Sequence, residues 1–452
     1  MTKPSKSYKI DMCNGPILSK MLLFAIPLVF SGILQLLFNA ADVVVVGRFA
    51  GENALAAVGS TSSLVNLFIN VFMGLSIGVN VLVGRYFGEK QDKHLKETVH
   101  TAVAVSLVSG IALAVLGALL SPLLLQWMDS PTEVLPLATV YLRVYFLGMP
   151  ASMLYNFCAA VLRSVGDTKR PLYYLSIAGV INVTLNLIFV IVFQWSVFGV
   201  ALATIISQCV SAYLVLRCLI KEQGALHLEL KELKIHKDKI KKIMQIGIPA
   251  GINSVVFSVS NVLIQSSVNS FGAITVAGNS AASNIEGFVY VSMNAIYQAS
   301  ISFTSQNVGA RKYKRLDRIL WVGQGCVTVV GIVLSSLVRI FGTELLGLYT
   351  NNTDVIAAGM VRLGIICSTY FLCGNMEVFV GLLRGMGYSV APMIEALLGS
   401  CALRVVWLLT VFPLEQFHKI ETVYIVYPIS WVITIIAHWI TYLIVKRKFI
   451  EK

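Results

Sequence analysis

The sequence has little charge. Of its 452 residues only 13% are Asp, Glu, Lys or Arg, whereas 57% are hydrophobic, and the mean hydropathy is +0.79. Residues 21–46 contain no cation and a single acid, Asp42. Long uncharged stretches of this kind exclude a soluble globular chain and a disordered one, and they indicate a protein embedded in lipid.

Catalytic and cofactor motifs are also missing. The loops contain no P-loop, no GxSxG, no HExxH and no glycine-rich nucleotide motif, which argues against ATP-driven transport and against an ordinary hydrolase. The eight cysteines form no CxxC pair and no metal-ligand spacing. The sequence therefore predicts a protein that is not an enzyme and that has no metal site and no cofactor.

What the sequence does contain is a series of apolar runs. Each is at least 18 residues long, enough for a helix to cross a bilayer, and none shows the ten-residue alternation of a β-barrel strand. We therefore predict an all-α membrane protein with twelve transmembrane helices. They lie at residues 21–46, 55–83, 98–124, 136–162, 171–193, 197–220, 243–270, 279–305, 319–341, 358–383, 391–413 and 423–445.

The positive charges follow every second loop. The net charge is +13, and most of the 35 Lys and Arg fall in the N-terminal segment, the C-terminal segment and the loops on the same side, whereas acids dominate the opposite loops. The positive-inside rule then places both termini in the cytoplasm of a cell membrane. The basic excess thus requires no nucleic-acid partner. Arg143 and Arg362, near span ends, are expected to reach the headgroups.

The second half of the sequence repeats the first. A shift of about 221 residues aligns Ile26-Pro27 with Ile248-Pro249, and "LRSVGDTKRP" with "LRGMGYSVAP". Six spans per repeat keep both halves in the same orientation, which predicts two six-helix bundles related by a parallel internal repeat. We expect an N-lobe at residues 1–220, a polar cytoplasmic linker at 221–242 and a C-lobe at 243–452.

Polar side chains in the first half could surround Asp42. Asn39 lies one helical turn before it, Asn182 and Asn186 are four residues apart in span 5, and Thr204 lies in span 6. A carboxyl group in a membrane helix is normally paired, protonated or functional, so this cluster suits a proton or a small cation. The alternative is that the amides and the hydroxyl only form hydrogen bonds between helices.

The second half has different polar chemistry. The repeat mate of Asp42 is Ile264, but spans 8 and 10 carry Glu286 and Glu377, and Gln298 also lies in span 8. Acids that faced lipid would be costly, so these side chains should face a cleft or a partner. We consider Glu286, Glu377 and Gln298 as candidates for binding a cationic substrate, with a structural role as the alternative.

Two further features of the spans have open roles. Pro27 leaves a carbonyl of span 1 without its helical partner, so it could bend that helix, form a static kink or mark a helix start. Glu395 and Arg404 are nine residues apart in span 11, too far to pair along one helix, and each is expected to find a partner on another helix.

In this order, several segments resemble the multidrug and toxic compound extrusion (MATE) transporters over nearly the whole chain. They are "IPLVFSGILQLLFNAADVVVVGRFAG", "ALAAVGS", "VGRYFGEK", "LRSVGDTKRPL", "INVTLNLIFV", "GVALATIISQ", "QNVGARK" and "LLRGMGYSVAP". The resemblance implies an antiporter that exchanges protons or sodium for mostly cationic, amphipathic compounds by alternating access.

The resemblance also implies roles for individual residues. The coupling Asp of the first helix falls on Asp42, its bending Pro on Pro27, and the polar partners of that Asp on Tyr141, Asn182 and Thr204. Where many relatives have a second Asp in span 5, this chain has Asn186, so a two-carboxylate ion site is incomplete here.

The sequence therefore predicts a secondary active multidrug efflux antiporter in a cell membrane, acting as a monomer on small amphipathic molecules. Protons are the expected coupling ion, with Asp42, Tyr141, Asn182, Asn186 and Thr204 as the coupling residues, and sodium is the alternative. A lipid-linked oligosaccharide flippase of the same superfamily is a rival, although its pyrophosphate would require several cations in the cavity. A membrane-embedded enzyme or a non-transporting sensor is the rival of another class.

Overall fold

The computed structural model describes residues 8–128 and 131–450. Residues 1–7, 129–130 and 451–452, and with them both chain ends predicted to be cytoplasmic, lie outside the described residues. The described part contains no β-strand. Its fifteen α-helices are α1 Ile17–Phe49, α2 Glu52–Glu89, α3 Asp92–Trp127, α4 Leu135–Leu147, α5 Met149–Ser164, α6 Lys169–Leu187, α7 Ser196–Lys221, α8 Lys237–Asn269, α9 Ala273–Gly309, α10 Leu316–Ile340, α11 Gly342–Gly347, α12 Thr353–Gly385, α13 Val390–Ala396, α14 Leu403–Thr410 and α15 Ile420–Ile450.

These helices account for the twelve predicted spans. Among the described residues, ten helical segments are long and apolar enough to cross a membrane, and α4 with α5 forms an eleventh that bends by 45°. The twelfth is α9, whose 37 residues extend about 55 Å but carry many Asn, Gln and Ser side chains. The bend follows Gly148, and Pro150 lies in the first turn of α5. A proline favours a bend at this place because it cannot donate the helical hydrogen bond.

Two membrane segments also contain a π-helical turn. One, Ile188–Val192, continues α6, and the other, Leu397–Ala402, joins α13 to α14. The sequence predicted uninterrupted helices at both places. Such turns insert an extra residue into the helix and are often found at functional sites.

The internal repeat is visible in the backbone and confirms the predicted duplication. Left-handed φ angles recur at pairs of positions 221 residues apart, and each pair occupies the same place in its half. The pairs are Gly51 and Gly272 (φ 89° and 90°), Lys90 and Arg311 (56° and 56°), and Gly166 and Gly387 (93° and 93°).

By their contacts the described residues form two compact units. The first takes in the residues up to Asp11 together with Phe30–Gly247, and the second Met12–Val29 together with the residues from Ile248 onward. Two helices therefore contribute to both units. α1 changes unit at Phe30, three residues after Pro27, and α8 changes unit at Ile248, next to Pro249.

Close helix contacts through glycine hold each unit together. In the first, a Cβ atom on Gly78 of α2 would lie only 2.3 Å from the carbonyl oxygen of Ile243 on α8. In the second, Gly381 and Gly385 of α12 approach α9 so closely that a Cβ on either would lie 2.9 Å from a backbone oxygen of that helix. Small residues allow helix backbones to approach in this way in lipid.

The outward faces of the helices are apolar, as a bilayer requires. Leu119 on α3, Val262 on α8 and Leu409 on α14 are exposed by 70%, 68% and 72%. Exposed apolar side chains on such helices mark a lipid-facing side. The helices can face lipid because the backbone of each one satisfies its own hydrogen bonds.

An ion cluster ties the loop after α5 to the end of α7 in the first unit. Arg170 donates to Asp167 and, at 2.8 Å, to Glu222, and Lys9 donates to Glu222 at 2.7 Å. Partial burial acts to raise the pKa of the Glu222 carboxyl, but the hydrogen bonds from Lys9 and Arg170 outweigh it and hold that pKa below its usual value.

Candidate ion-coupling site

The site is built around Asp42, in the part of α1 that belongs to the first unit. Its carboxylate is partly buried, and Oδ1 accepts a hydrogen bond from Nδ2 of Asn186 on α6. This hydrogen bond joins α1 to α6 through two side chains that are 144 residues apart in sequence. The pairing with Asn186 provides the polar partner that a carboxylate inside a membrane span needs.

The hydrogen bonds continue from Asn186 in a chain. Its Nδ2 also lies 3.4 Å from Oδ1 of Asn182, one helical turn earlier on α6. Nδ2 of Asn182 in turn donates to Oγ1 of Thr204 on α7 at 3.3 Å, and that hydroxyl donates to the carbonyl oxygen of Val200 at 3.0 Å. The structure thus brings together Asp42, Asn186, Asn182 and Thr204 from three predicted spans.

One atom of the cluster has an unused hydrogen-bonding capacity. The Oδ1 atom of Asn186 is buried, and it has no hydrogen-bond partner among the described residues. A buried acceptor without a partner is destabilising by about 1–3 kcal/mol. This oxygen lies on the same amide group that donates to Asp42, so it could accept a hydrogen bond from a protonated carboxyl group or coordinate a cation next to the carboxylate.

Tyr141 is placed near the cluster but not within it. Its ring on α4 is buried, with its centroid 6.0 Å from that of Tyr145, and both phenols interact electrostatically with Asp42. Tyr145 also makes a side-chain hydrogen bond with Gln208 on α7. Asn39 is exposed and, within the described chain, makes no hydrogen bond to the cluster.

Sequence reasoning missed Tyr145 and Gln208. Each follows a candidate residue by four positions, Tyr141 and Thr204 respectively, so helical spacing was a usable signal. It also missed the π-helical turn that begins two residues after Asn186. No signal marked that turn, because its sequence, IFVIV, continues the apolar pattern of the span.

One of the three second-unit candidates, Glu286, is already paired with a cation on a neighbouring helix. Glu286 on α9 accepts two hydrogen bonds from Arg362 on α12, at 3.0 and 2.7 Å, and Arg362 also donates to Asn279 at 2.7 Å. The prediction that Arg362 reaches the headgroups is wrong, since its side chain is buried in this ion pair. The charge of Glu286 is already balanced, so the geometry favours the structural alternative for this residue.

The other two candidates lie on facing helices. Gln298 on α9 donates to Oδ1 of Asn294 at 2.9 Å, and both side chains are partly exposed. Glu377 on α12 is half-buried and interacts electrostatically with Tyr290 and Tyr297 of α9. An acid beside aromatic rings is a suitable surface for an organic cation.

The two halves differ most at the repeat mate of Asp42. Ile264 is buried in the apolar core of the second unit, with 2% of its surface exposed. The expectation that Glu395 and Arg404 find partners on another helix is confirmed: Glu395 is hydrogen-bonded to α15, and Arg404 donates to Ser430 of α15 at 3.0 Å. Pro27 is buried, and α1 continues through it without a break.

A duplicated set of long apolar helices with a polar cluster around one membrane acid, as the described residues show, is typical of a multi-pass membrane transporter. Comparison with protein families gives the same class and specifies it. The family model MatE matches residues 27–188 and, a second time, residues 249–409. The chain belongs to this family, the MATE multidrug efflux transporters.

Individual relatives are similar along most of the chain. A probable multidrug resistance protein of Bacillus subtilis, YoeA, is 27% identical over 437 residues, covering 95% of this chain and 94% of the relative. The multidrug export protein MepA of Staphylococcus aureus is 21% identical, with 85% of both chains covered. The fold is similar to that of a solved structure, the outward-facing conformation of a multidrug resistance MATE family transporter of the MOP superfamily, with a TM-score of 0.92 at 19% identity, covering 99% of this chain and 100% of that chain.

Proposed function

We propose that this protein exports amphipathic, mostly cationic compounds in exchange for protons by alternating access, and that Asp42 binds the coupling proton. The observation that carries the proposal is the hydrogen bond between Asp42 and Asn186, whose carbonyl oxygen is buried without a partner. With Asp42 ionised, the amide donates to the carboxylate. With Asp42 protonated, a rotated amide can accept the new O–H, so one residue serves both states.

The hydrogen bonds that the oxygen atoms of the cluster already make favour protons over sodium as the coupling ion. Sodium would need several oxygen ligands at once. Asp42 Oδ1 and Asn182 Oδ1 both face the Nδ2 atom of Asn186, and Thr204 Oγ1 takes part in two hydrogen bonds. A proton needs only one oxygen of Asp42, and the neutral Asn186 removes the second carboxylate that would strengthen cation binding.

The energetics are sufficient for accumulation against a gradient. Each proton that moves inward through 100 mV releases about 2.3 kcal/mol, which corresponds to roughly 50-fold export of an uncharged substrate. Exchange of one proton for one monovalent cation moves no net charge and is driven by the pH gradient instead, at about tenfold per pH unit. Removing the charge of Asp42 by protonation also removes the main electrostatic cost of keeping it inside the span.

The substrate would contact the second unit at Glu377, with Tyr290 and Gln298 close by on α9. Glu377 provides a negative charge, Tyr290 an aromatic face that is 38% exposed, and Gln298 an adaptable amide. Glu286 is not part of this proposal because Arg362 neutralises it.

We take the two repeats, residues 1–220 and 243–452 with the linker 221–242, as the lobes that alternate, in a monomer of the cell membrane with both termini cytoplasmic. Bending of α1 at Pro27 would couple the state of Asp42 to this movement. This proposal is supported by the positions of the two prolines: α1 and α8 each have a proline within three residues of the position where the helix changes unit.

The test uses purified protein in liposomes that contain a pH-sensitive dye. Addition of ethidium should release protons from wild-type vesicles, and Asp42→Asn should abolish this exchange while the variant stays folded. Asp354→Asn, which removes an exposed acid at the start of α12, is the matched control and should exchange like the wild type. Normal proton exchange by Asp42→Asn would contradict the proposal, and loss of exchange on removing sodium rather than on adding a protonophore would favour sodium.

A further inference from the structure

A second titratable site lies in the second unit and consists of one buried and one partly exposed group. His438 lies on α15, and its side chain is completely buried. Its Nδ1 is hydrogen-bonded to Oε2 of Glu395 on α13, and the hydroxyl of Thr441, also on α15, donates to the other carboxylate oxygen. The Nε2 atom of His438 is buried and has no hydrogen-bond partner in the described part of the chain.

The helices that carry the pair are held in a fixed relation. Glu395 lies two residues before the π-helical turn Leu397–Ala402. The hydroxyl of Ser400 in that turn lies 2.9 Å from the hydroxyl of Thr434 on α15. Gly399 allows α15 to approach so closely that a Cβ atom there would lie 2.5 Å from the Thr434 hydroxyl. A π-helical turn inside a membrane helix places side chains where a regular helix would not, and is often found at functional sites.

The net charge of the pair decides what it can bind. With Glu395 ionised and His438 neutral, the pair has one negative charge inside two membrane spans. Binding one proton makes it neutral overall, whether the proton resides on the imidazole or on the carboxyl group. The two groups share a hydrogen bond, so a proton taken up by either belongs to the pair as a unit.

Charged groups on the neighbouring helices are engaged elsewhere. Arg404 on α14 donates to Ser430 and lies 4.4 Å from the ring centroid of Tyr427. Asp317 on α10 accepts from Tyr442 and Lys446 of α15, at 2.9 and 2.7 Å.

On α12, the remaining neighbour, Arg384 donates to the phenol of Tyr297, and Glu377 interacts with Arg384 electrostatically. No ion pair with a Lys or Arg involves Glu395 in the described chain, so a proton is the charge available to neutralise it.

We propose that His438 and Glu395 form a second proton-binding site, which takes up one proton and whose occupancy sets the pH dependence of transport. The proposal rests on the proton-coupled export proposed above, but it concerns a different unit and different residues. Lys446 lies eight residues beyond His438, about 12 Å along α15, so the basic end of this helix is the nearer aqueous side.

The binding step can be measured directly by NMR. The protein has six histidines, of which His100 and His438 lie within predicted apolar spans, so selective ¹³C,¹⁵N-histidine labelling in nanodiscs gives few resonances. His438→Gln assigns the signal. We expect the His438 resonance to titrate between pH 5 and 9, and Glu395→Gln to abolish or displace that titration because the pair is then neutral without a proton. A resonance that is constant over this range, or that titrates identically in Glu395→Gln, would overturn the proposal.

The transport consequence is measured with ethidium uptake into liposomes over the same pH range. Loss of one proton-binding step should lower the slope of log rate against pH by about one, a tenfold smaller change per pH unit. His438→Gln and Glu395→Gln should both lose this slope, and Glu395→Asp should retain it. His418→Gln, which changes a histidine stacked on Phe271 outside the membrane spans, is the matched control. A merely structural pair would reduce stability and leave the slope unchanged, which would also overturn the proposal.

The two proposals can fail separately. If Asp42→Asn retains exchange but the His438 resonance titrates and the slope changes as described, the second site stands and the assignment of Asp42 is wrong. If Asp42→Asn abolishes exchange but neither His438→Gln nor Glu395→Gln changes the slope, the coupling site stands and the second site is wrong.

Discussion

The ion pair of Glu286 and Arg362 gives the sharpest quantitative prediction. Two hydrogen bonds, at 3.0 and 2.7 Å, join them, and their side chains are only 5% and 10% exposed. Removing one partner of a buried pair leaves an uncompensated charge and costs about 3–5 kcal/mol, whereas replacing both by apolar residues is often neutral. We therefore expect Glu286→Leu and Arg362→Met each to destabilise by about 3–5 kcal/mol, and the double variant to recover most of that loss.

The surrounding hydrogen bonds explain why recovery should be nearly complete. Without Arg362, Oδ1 of Asn279 still accepts from the Tyr424 hydroxyl at 3.2 Å, and its Nδ2 still donates to Gln265 at 2.8 Å. The double variant thus leaves no new buried polar group without a partner, which is the condition for a small net effect.

The assay is unfolding of the purified variants in mixed micelles, followed by circular dichroism, with ethidium binding measured in parallel. Glu377→Leu is the control, because it removes an acid of the same unit that forms no hydrogen-bonded ion pair in the described chain, and it should cost less than either single change. A double variant that is as unstable as the less stable of the two single variants would refute the reasoning. A stable Glu286→Leu that no longer binds ethidium would restore the substrate-binding role that the sequence suggested.

Three further predictions concern the first unit. Gly78→Val should destabilise by about 1–3 kcal/mol because α2 contacts the Ile243 carbonyl there, whereas Gly59→Val, whose site is open, should leave the unfolding midpoint unchanged. The pKa of Glu222 is lower in the folded than in the unfolded chain, so its ionised carboxylate stabilises the fold above the unfolded pKa of about 4.3. This stabilisation is lost as the pH falls through the folded pKa. Glu222→Gln should therefore lower the melting temperature at pH 7, and the difference from wild type should vanish at low pH. Asn186→Asp places a second carboxylate beside Asp42, and ethidium export should then become sodium-stimulated, which flux measurements with and without sodium would detect.

Much of the fold followed from patterns that are local in sequence. Twelve apolar runs predicted twelve spans, and a shift of about 221 residues predicted the duplication that the paired φ angles confirm. Local patterns work here because a bilayer allows few structures: every backbone group must be satisfied within its own helix, so length and hydropathy determine the spans. The break at Gly148 was harder to foresee, since helical segments on both sides remain apolar.

The sequence by itself determined the class of protein and the acid to examine, because Asp42 is the lone charge in its span and charge in lipid is exceptional. Only the tertiary structure decided the partners. It selected Asn186 from the candidate partners of Asp42, it showed that Arg362 faces Glu286 rather than the headgroups, and it brought His438 to Glu395 across 43 residues. Side chains on different helices meet according to helix rotation and packing, which depend on contacts distant in sequence that no local pattern records.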